Sequence, residues 1–175
     1  PSVAGGNWRG NGGIIWPLLR MYIPDSDWNV AMFNHSPCAE NITAMKRVFP
    51  LSKVVFVIHD QGWCARLFGD GNLLAAIERG ETPPEVSEST CNFVRGYCAS
   101  EREIYHIADA VVCLSESTRK LLHEVYEVPD QKITLIYNGY PADRKGFVKR
   151  DAARRRLGLN NDDELLLFVA RSAPH

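Results

Sequence analysis

The chain has 175 residues, 45% of them hydrophobic, which is enough for one sizeable core and the beginning of a second. Its 20 Lys and Arg against 21 Asp and Glu leave a formal net charge of -1. Without an overall basic field, nucleic acid is not an expected partner. No apolar run approaches the roughly 20 residues that span a bilayer, and the opening PSVAGGNWRGNGG lacks the basic start and apolar stretch of a signal peptide.

Five scattered cysteines (Cys38, Cys64, Cys91, Cys98 and Cys113) favour a reducing compartment, and the expected location is cytoplasmic. The sequons at Asn34 and Asn41 would matter only in a secreted protein.

In chain order, the Gly-rich start leads into IIWPLLRMYI, a short helix or loop interrupted by Pro17. From residue 28, short β-branched runs alternate with helical patterns, which predicts β-α-β units around a parallel sheet and an α/β fold. WNVAMFNH (28–35) is the first strand, and residues 39–49 place Ile42, Met45 and Phe49 on one helical face. VVFVIH (54–59) is continuously apolar, as in a strand covered on both faces, and it runs into His59, Asp60, Gly62 and Trp63. Trp63 has two readings, a loop anchor or a sugar-facing platform. A short helix ending at Gly80 is expected within 67–80, then a proline-marked loop and a longer helix over 87–106. AVVCLS (110–115), a helix over 116–126 and KITLIYNG (132–139) complete the alternation.

Residues 144–156 then hold seven Lys or Arg against one Asp, and a buried-type strand LLLFVA (165–170) follows. The basic segment reads as a solvated or linker helix whose arginines pair with Asp162, Asp163 and Glu164, and it also admits weak peripheral contact with acidic lipid. The expected organisation is a Gly-rich segment (1–27), a Rossmann-like domain (28–143), a basic linker (144–164) and the start of a further domain (165–175). The chain thus reads as an internal piece of a longer protein.

In an open parallel sheet, ligands bind beyond the carboxyl ends of the strands. Four places qualify: Asn34 and His35, His59 and Asp60, Ser115 to Ser117 (with Glu116), and Tyr137 to Gly139 (with Asn138). Each has an ordinary reading as a turn, a helix cap or a core histidine, but their shared rim suits a polar ligand. Ser115-Glu116 opens a helix, where first-turn amides favour a phosphate. Neither G-x-G-x-x-G nor a Walker A pattern follows any strand, and no G-x-S-x-G elbow is present. A metal at the His59-Asp60 doublet, or a zinc held by His35, Cys38, Cys91 and Cys98, lacks the partners or close spacings such sites need. No metal site is expected.

The order VVFVIHD, IADAVVCLSESTRKLL, KITLIYNGYP, R-x-x-LGL and LLLFVAR resembles glycosyltransferase family 4 and its two-domain GT-B relatives over about residues 28–171. The resemblance implies that this chain is the N-terminal, acceptor-side half of such an enzyme. It further implies retaining transfer from a nucleotide sugar to a hydroxyl on a glycan, lipid or protein, with neither metal nor resident cofactor. By the same resemblance His59 positions the donor sugar with Asp60 beside it, and Ser115 and Glu116 match the "vSe" that follows "aD" (Ala108-Asp109). Asn138-Gly139 border the cleft, and Arg171 contacts the donor diphosphate. The family usually has Gly-Arg where Ala170-Arg171 stands, and its first strand and glycine loop are not recognisable. Turnover by this chain alone is not expected. The rival readings are a non-catalytic sugar- or partner-binding domain and a GT-B nucleotide-sugar epimerase.

Overall fold

The computed structural model describes residues 12–34, 38–139 and 148–167. Four parallel strands form one sheet in sequential order: β1 (Val30–Phe33), β2 (Lys53–Val57), β3 (Ala110–Cys113) and β4 (Ile133–Leu135). The registers Val30 with Lys53, Val55 with Ala110 and Val111 with Ile133 align their carboxyl ends. The connections are helical: α2 (Ala39–Val48) after β1, then α3 (Cys64–Leu67), α4 (Gly71–Glu78) and α5 (Glu88–Ile107) after β2, and α6 (Glu116–Glu124) after β3. This is the expected Rossmann-like arrangement. The strands are shorter than the apolar runs that signal them, because pairing stops where the chain turns into each helix.

Strand order decides which face is buried. With each strand beside its predecessor, right-handed crossovers place the connecting helices on one side. Val54, Phe56, Val111 and Cys113 accordingly join Ile42 and Met45 of α2, Phe49 at its C-cap, and Val94, Cys98 and Tyr105 of α5 in the core. The opposite face carries Val55, Val57, Ala110 and Val112, all only partly buried, and Val30 and Met32 are exposed. The expectation of a β2 covered on both faces is corrected there.

Polar caps fix where the helices begin. Asp70 accepts from the amides of Asn72 and Leu73, Ser87 from that of Thr90 and Ser115 from that of Thr118. The segment around Pro17 is helical, as α1 (Gly12–Arg20), and it packs on α2. Trp16 donates to Asn41 Oδ1 at 2.6 Å and its ring meets those of Phe33 and Phe49. A Cβ at Gly12 would lie 2.9 Å from Asn41, so the close approach needs glycine. The short helix expected within 67–80 is α4, which stops just before Gly80, and a further short helix, α3, precedes it and ends at Phe68, whose φ is 51°.

Residues 12–138 lie in one compact unit and those from Gly139 onward in another. In the second unit, α7 (Arg150–Arg156) buries Arg154, whose guanidinium donates to the carbonyls of Asn160 and Asp163. This differs from the expected arginine–carboxylate pairing: Asp163 spends its carboxylate on the Asn160 amide. Leu165, Leu166 and Leu167 are exposed and form no strand, there being no neighbour among the described residues to pair with them. Residues 168–170 of that expected strand lie outside the described residues. Among the described residues no helix is long and apolar enough to cross a membrane.

Candidate functional site

The β2 ladder runs one residue past the strand, where the Ile58 amide donates to Val112 O at 2.9 Å. The chain then leaves the sheet, and His59 and Asp60 are both exposed. Among the described residues neither side chain makes a hydrogen bond or ion pair. Their exposure rules out a core histidine.

The remainder of this loop is anchored. Gln61 is buried, with Nε2 3.5 Å from the Tyr105 hydroxyl. Gly62 lies so close to Tyr97 that a Cβ would sit 2.3 Å from its ring. Trp63 is 1% exposed, and its carbonyl accepts the Leu67 amide of α3. It is therefore the loop anchor, not a sugar-facing platform. Its indole N–H has no acceptor.

Beneath the loop lies Glu101, which the sequence reading missed. It is 1% exposed, Tyr126 donates to its Oε2 at 2.5 Å, and its Oε1 has no partner. Burial pushes its carboxyl up to about 7, against the lowering effects of Tyr126, the Gly62 amide and Tyr105, while Asp60 adds to the rise. A signal was present: Cys91, Val94, Cys98, Glu101 and Tyr105 recur at three- and four-residue steps and are all buried on α5, so a glutamate stands in an apolar stripe.

On the neighbouring strand, Ser115 caps α6 and its hydroxyl also meets those of Ser117 and Thr118. The amides of Glu116 and Ser117, ahead of the capped Thr118, have no intrahelical acceptor. Glu116 is exposed and accepts from Tyr137 at 3.3 Å, which joins the ends of β3 and β4. Asn138, Gly139 and Asn34 are exposed. His35 and Arg171 lie outside the described residues. Adjacent strand ends stand about 5 Å apart, so His59 and Ser115 are near neighbours, whereas Asn34 and Asn138 bound a rim roughly 15 Å wide.

Asp109, at the head of β3, points away from this rim chemistry. Its Oδ2 accepts from Lys46 Nζ at 2.5 Å and from the Val54 amide at 2.7 Å, which ties α2 and β2 to β3. Burial alone would raise its carboxyl, but these bonds outweigh that and hold it below the usual value.

Among the described residues no group of three or more His, Cys, Asp or Glu is placed to hold a metal ion. Cys91 and Cys98 are buried in α5, where burial pushes the Cys98 thiol up to about 12, so it stays protonated. A cavity of about 550 Å³ between α1 and the β1 edge is lined by Trp16, Trp28, Met32 and Phe33 among others. None of the rim residues lines it.

A sequence profile described as Glycosyltransferase Family 4 matches residues 15–144. A curated protein, D-inositol 3-phosphate glycosyltransferase of Thermobispora bispora, is 34% identical over 74 residues, which cover 42% of this chain and 17% of that protein. The matched part is thus a small share of that relative's length. No solved structure gives a significant match.

Proposed function

This chain belongs to glycosyltransferase family 4, and from that premise we propose that it supplies the acceptor-side domain of a retaining transferase. The enzyme would move a sugar from a nucleotide-sugar donor to a hydroxyl acceptor. In the reaction the bond from the anomeric carbon to the diphosphate breaks, a bond to the acceptor oxygen forms on the same face, and the departing diphosphate gains negative charge.

The observation that carries this reading is the exposed His59-Asp60 pair beyond β2, without a partner among the described residues and on the same rim as the capped start of α6. An imidazole offers one donor and one acceptor to a sugar hydroxyl, and a carboxylate beside it accepts from another. The amides of Glu116 and Ser117 and the positive end of the α6 dipole favour the donor's phosphates. By family resemblance Arg171 is the residue that contacts the donor diphosphate, and Asn34, His35, Asn138 and Gly139 are cleft-lining. Stabilisation by fixed donors of the charge that develops on the leaving group is the largest catalytic effect this arrangement offers. It calls for neither a metal nor a resident cofactor.

The acceptor is open. The named relative acts on an inositol phosphate, so polyols of that kind belong in the acceptor panel with glycans, lipids and peptides. The test is transfer by the full-length protein from a panel of nucleotide sugars, with the anomeric configuration of the product read by NMR. Retained configuration in a glycosylated acceptor supports the proposal. Inversion would overturn the retaining mechanism, and epimerised or unreacted donor with every acceptor would overturn transfer itself.

A further inference from the structure

The exposed His59-Asp60 pair is a short span held at both ends. On the strand side the Ile58 amide donates to Val112 O at 2.9 Å, which keeps the backbone on the sheet up to the residue before His59. On the other side Gln61 and Trp63 are buried, Gln61 Nε2 lies 3.5 Å from the Tyr105 hydroxyl, and Gly62 lies against the Tyr97 ring. Among the described residues neither His59 nor Asp60 makes a side-chain bond of its own. Where those two side chains stand is therefore set by the backbone that carries them.

The second of these anchors is braced. The Tyr97 ring stacks on that of Phe93 with centroids 5.9 Å apart and planes 29° from parallel. The Arg66 guanidinium of α3 lies over Phe93, 4.9 Å from its centroid. Contacts thus run from Gly62 through two rings of α5 to Arg66, so the segment after β2 grips the stacked pair at both ends. Only glycine admits the ring this closely, since a Cβ at position 62 would overlap its carbons.

We propose that Tyr97 is a positioning residue: its ring, braced by Phe93 and Arg66, clamps Gly62 and so holds His59 and Asp60 at the rim before a donor arrives. Groups fixed ahead of binding need no ordering when substrate enters, and a displacement of about 1 Å can cost about 10²-fold in rate. The ring carries the role and the hydroxyl does not, because ring carbons are what meet Gly62. The effect on turnover rests on the transferase reading; the clamp on the loop does not.

The test is a double-mutant cycle in the full-length enzyme. Tyr97→Ala should lower kcat about 10–100-fold with donor KM nearly unchanged. Tyr97→Phe, which keeps the ring, should restore turnover, and Tyr97→Ala added to His59→Ala should lower kcat no further. An unchanged kcat, an equal loss in both backgrounds, or a loss that Tyr97→Phe does not recover overturns the proposal. If Tyr97→Ala does not fold, Phe93→Leu decides by the same cycle, since Phe93 is 43% exposed and lies outside the core. Heteronuclear ¹H–¹⁵N NOEs of the full chain read the clamp without turnover. The His59 and Asp60 amides should be as rigid as those of α5 in the wild type and mobile on the ps–ns timescale in the variant. Amides that are mobile in the wild type, or rigid in the variant, refute it. Should the wild type transfer no sugar at all, the functional reading fails while the NOEs still decide this one.

Discussion

Lys46 on α2 clasps Asp109 at the start of β3: Nζ lies 2.5 Å from Oδ2, and that same oxygen accepts the Val54 amide at 2.7 Å. One carboxylate thus fixes a helix and two strands. Asp109→Asn should cost about 1–2 kcal/mol at pH 7, discounted because both side chains are about one-third exposed. The folded carboxyl lies below its ordinary 3.8, so its contribution is present above that value and is lost as pH falls through the lowered one. Urea unfolding should show wild type and variant separated at pH 7 and the gap narrowing as the pH falls below the ordinary carboxyl value.

Glu101 has the opposite sign. Its folded pKa is raised from 4.5 to about 7, so the unfolded chain binds fewer protons in that window and stability falls as pH rises through it. The loss is roughly 3 kcal/mol and levels off above neutrality. Glu101→Gln should flatten this slope relative to wild type in denaturation curves taken from pH 4.5 to 8. Parallel curves would show that the carboxyl is not buried as described.

Gly62 has no room for a side chain beneath Tyr97. Gly62→Ala must displace that ring or the loop, at about 1–3 kcal/mol. Tyr97 stacks on Phe93 with centroids 5.9 Å apart, so the near-ultraviolet circular dichroism should change along with the melting temperature.

Much of this fold was legible because its signals are local. Runs such as AVVC become strands, and Ser87 and Ser115 cap helices where a serine precedes a helical pattern. His59 and Asp60 stood out because an apolar strand has no use for them unless its end is open. The structure places both in solvent. What was not legible depends on neighbours distant in sequence. The partial cover of Val55 and Val57 follows from strand order, the burial of Trp63 from its place in the hydrophobic core, and the helical state of the Pro17 segment from docking of Trp16 on Asn41. Glu101 lay between these cases, since its periodicity was visible but its partners Tyr126 and Gly62 were not.

Ser115 separates a structural role from a ligand role. Ser115→Ala should cost about 1 kcal/mol through the lost cap on the Thr118 amide. Ser115→Asp should keep the cap, and its charge suits the helix start, yet the same charge should weaken binding of a diphosphate donor to the full-length protein. Calorimetry of donor binding to the two variants checks this. Equal donor affinity for wild type and Ser115→Asp would remove α6 from the donor site.

The central claim is that His59 acts on the donor sugar at the rim of this sheet, and the most direct measurement is steady-state sugar transfer by full-length His59→Ala. The side chain is exposed and bonds to no other described residue, so the far-ultraviolet circular dichroism and the melting temperature should match wild type. The predicted result is a fall in kcat of about 10²–10³-fold, the scale of losing one aimed hydrogen-bonding group in a transition state. Turnover near the wild-type rate with the same donor would contradict the account.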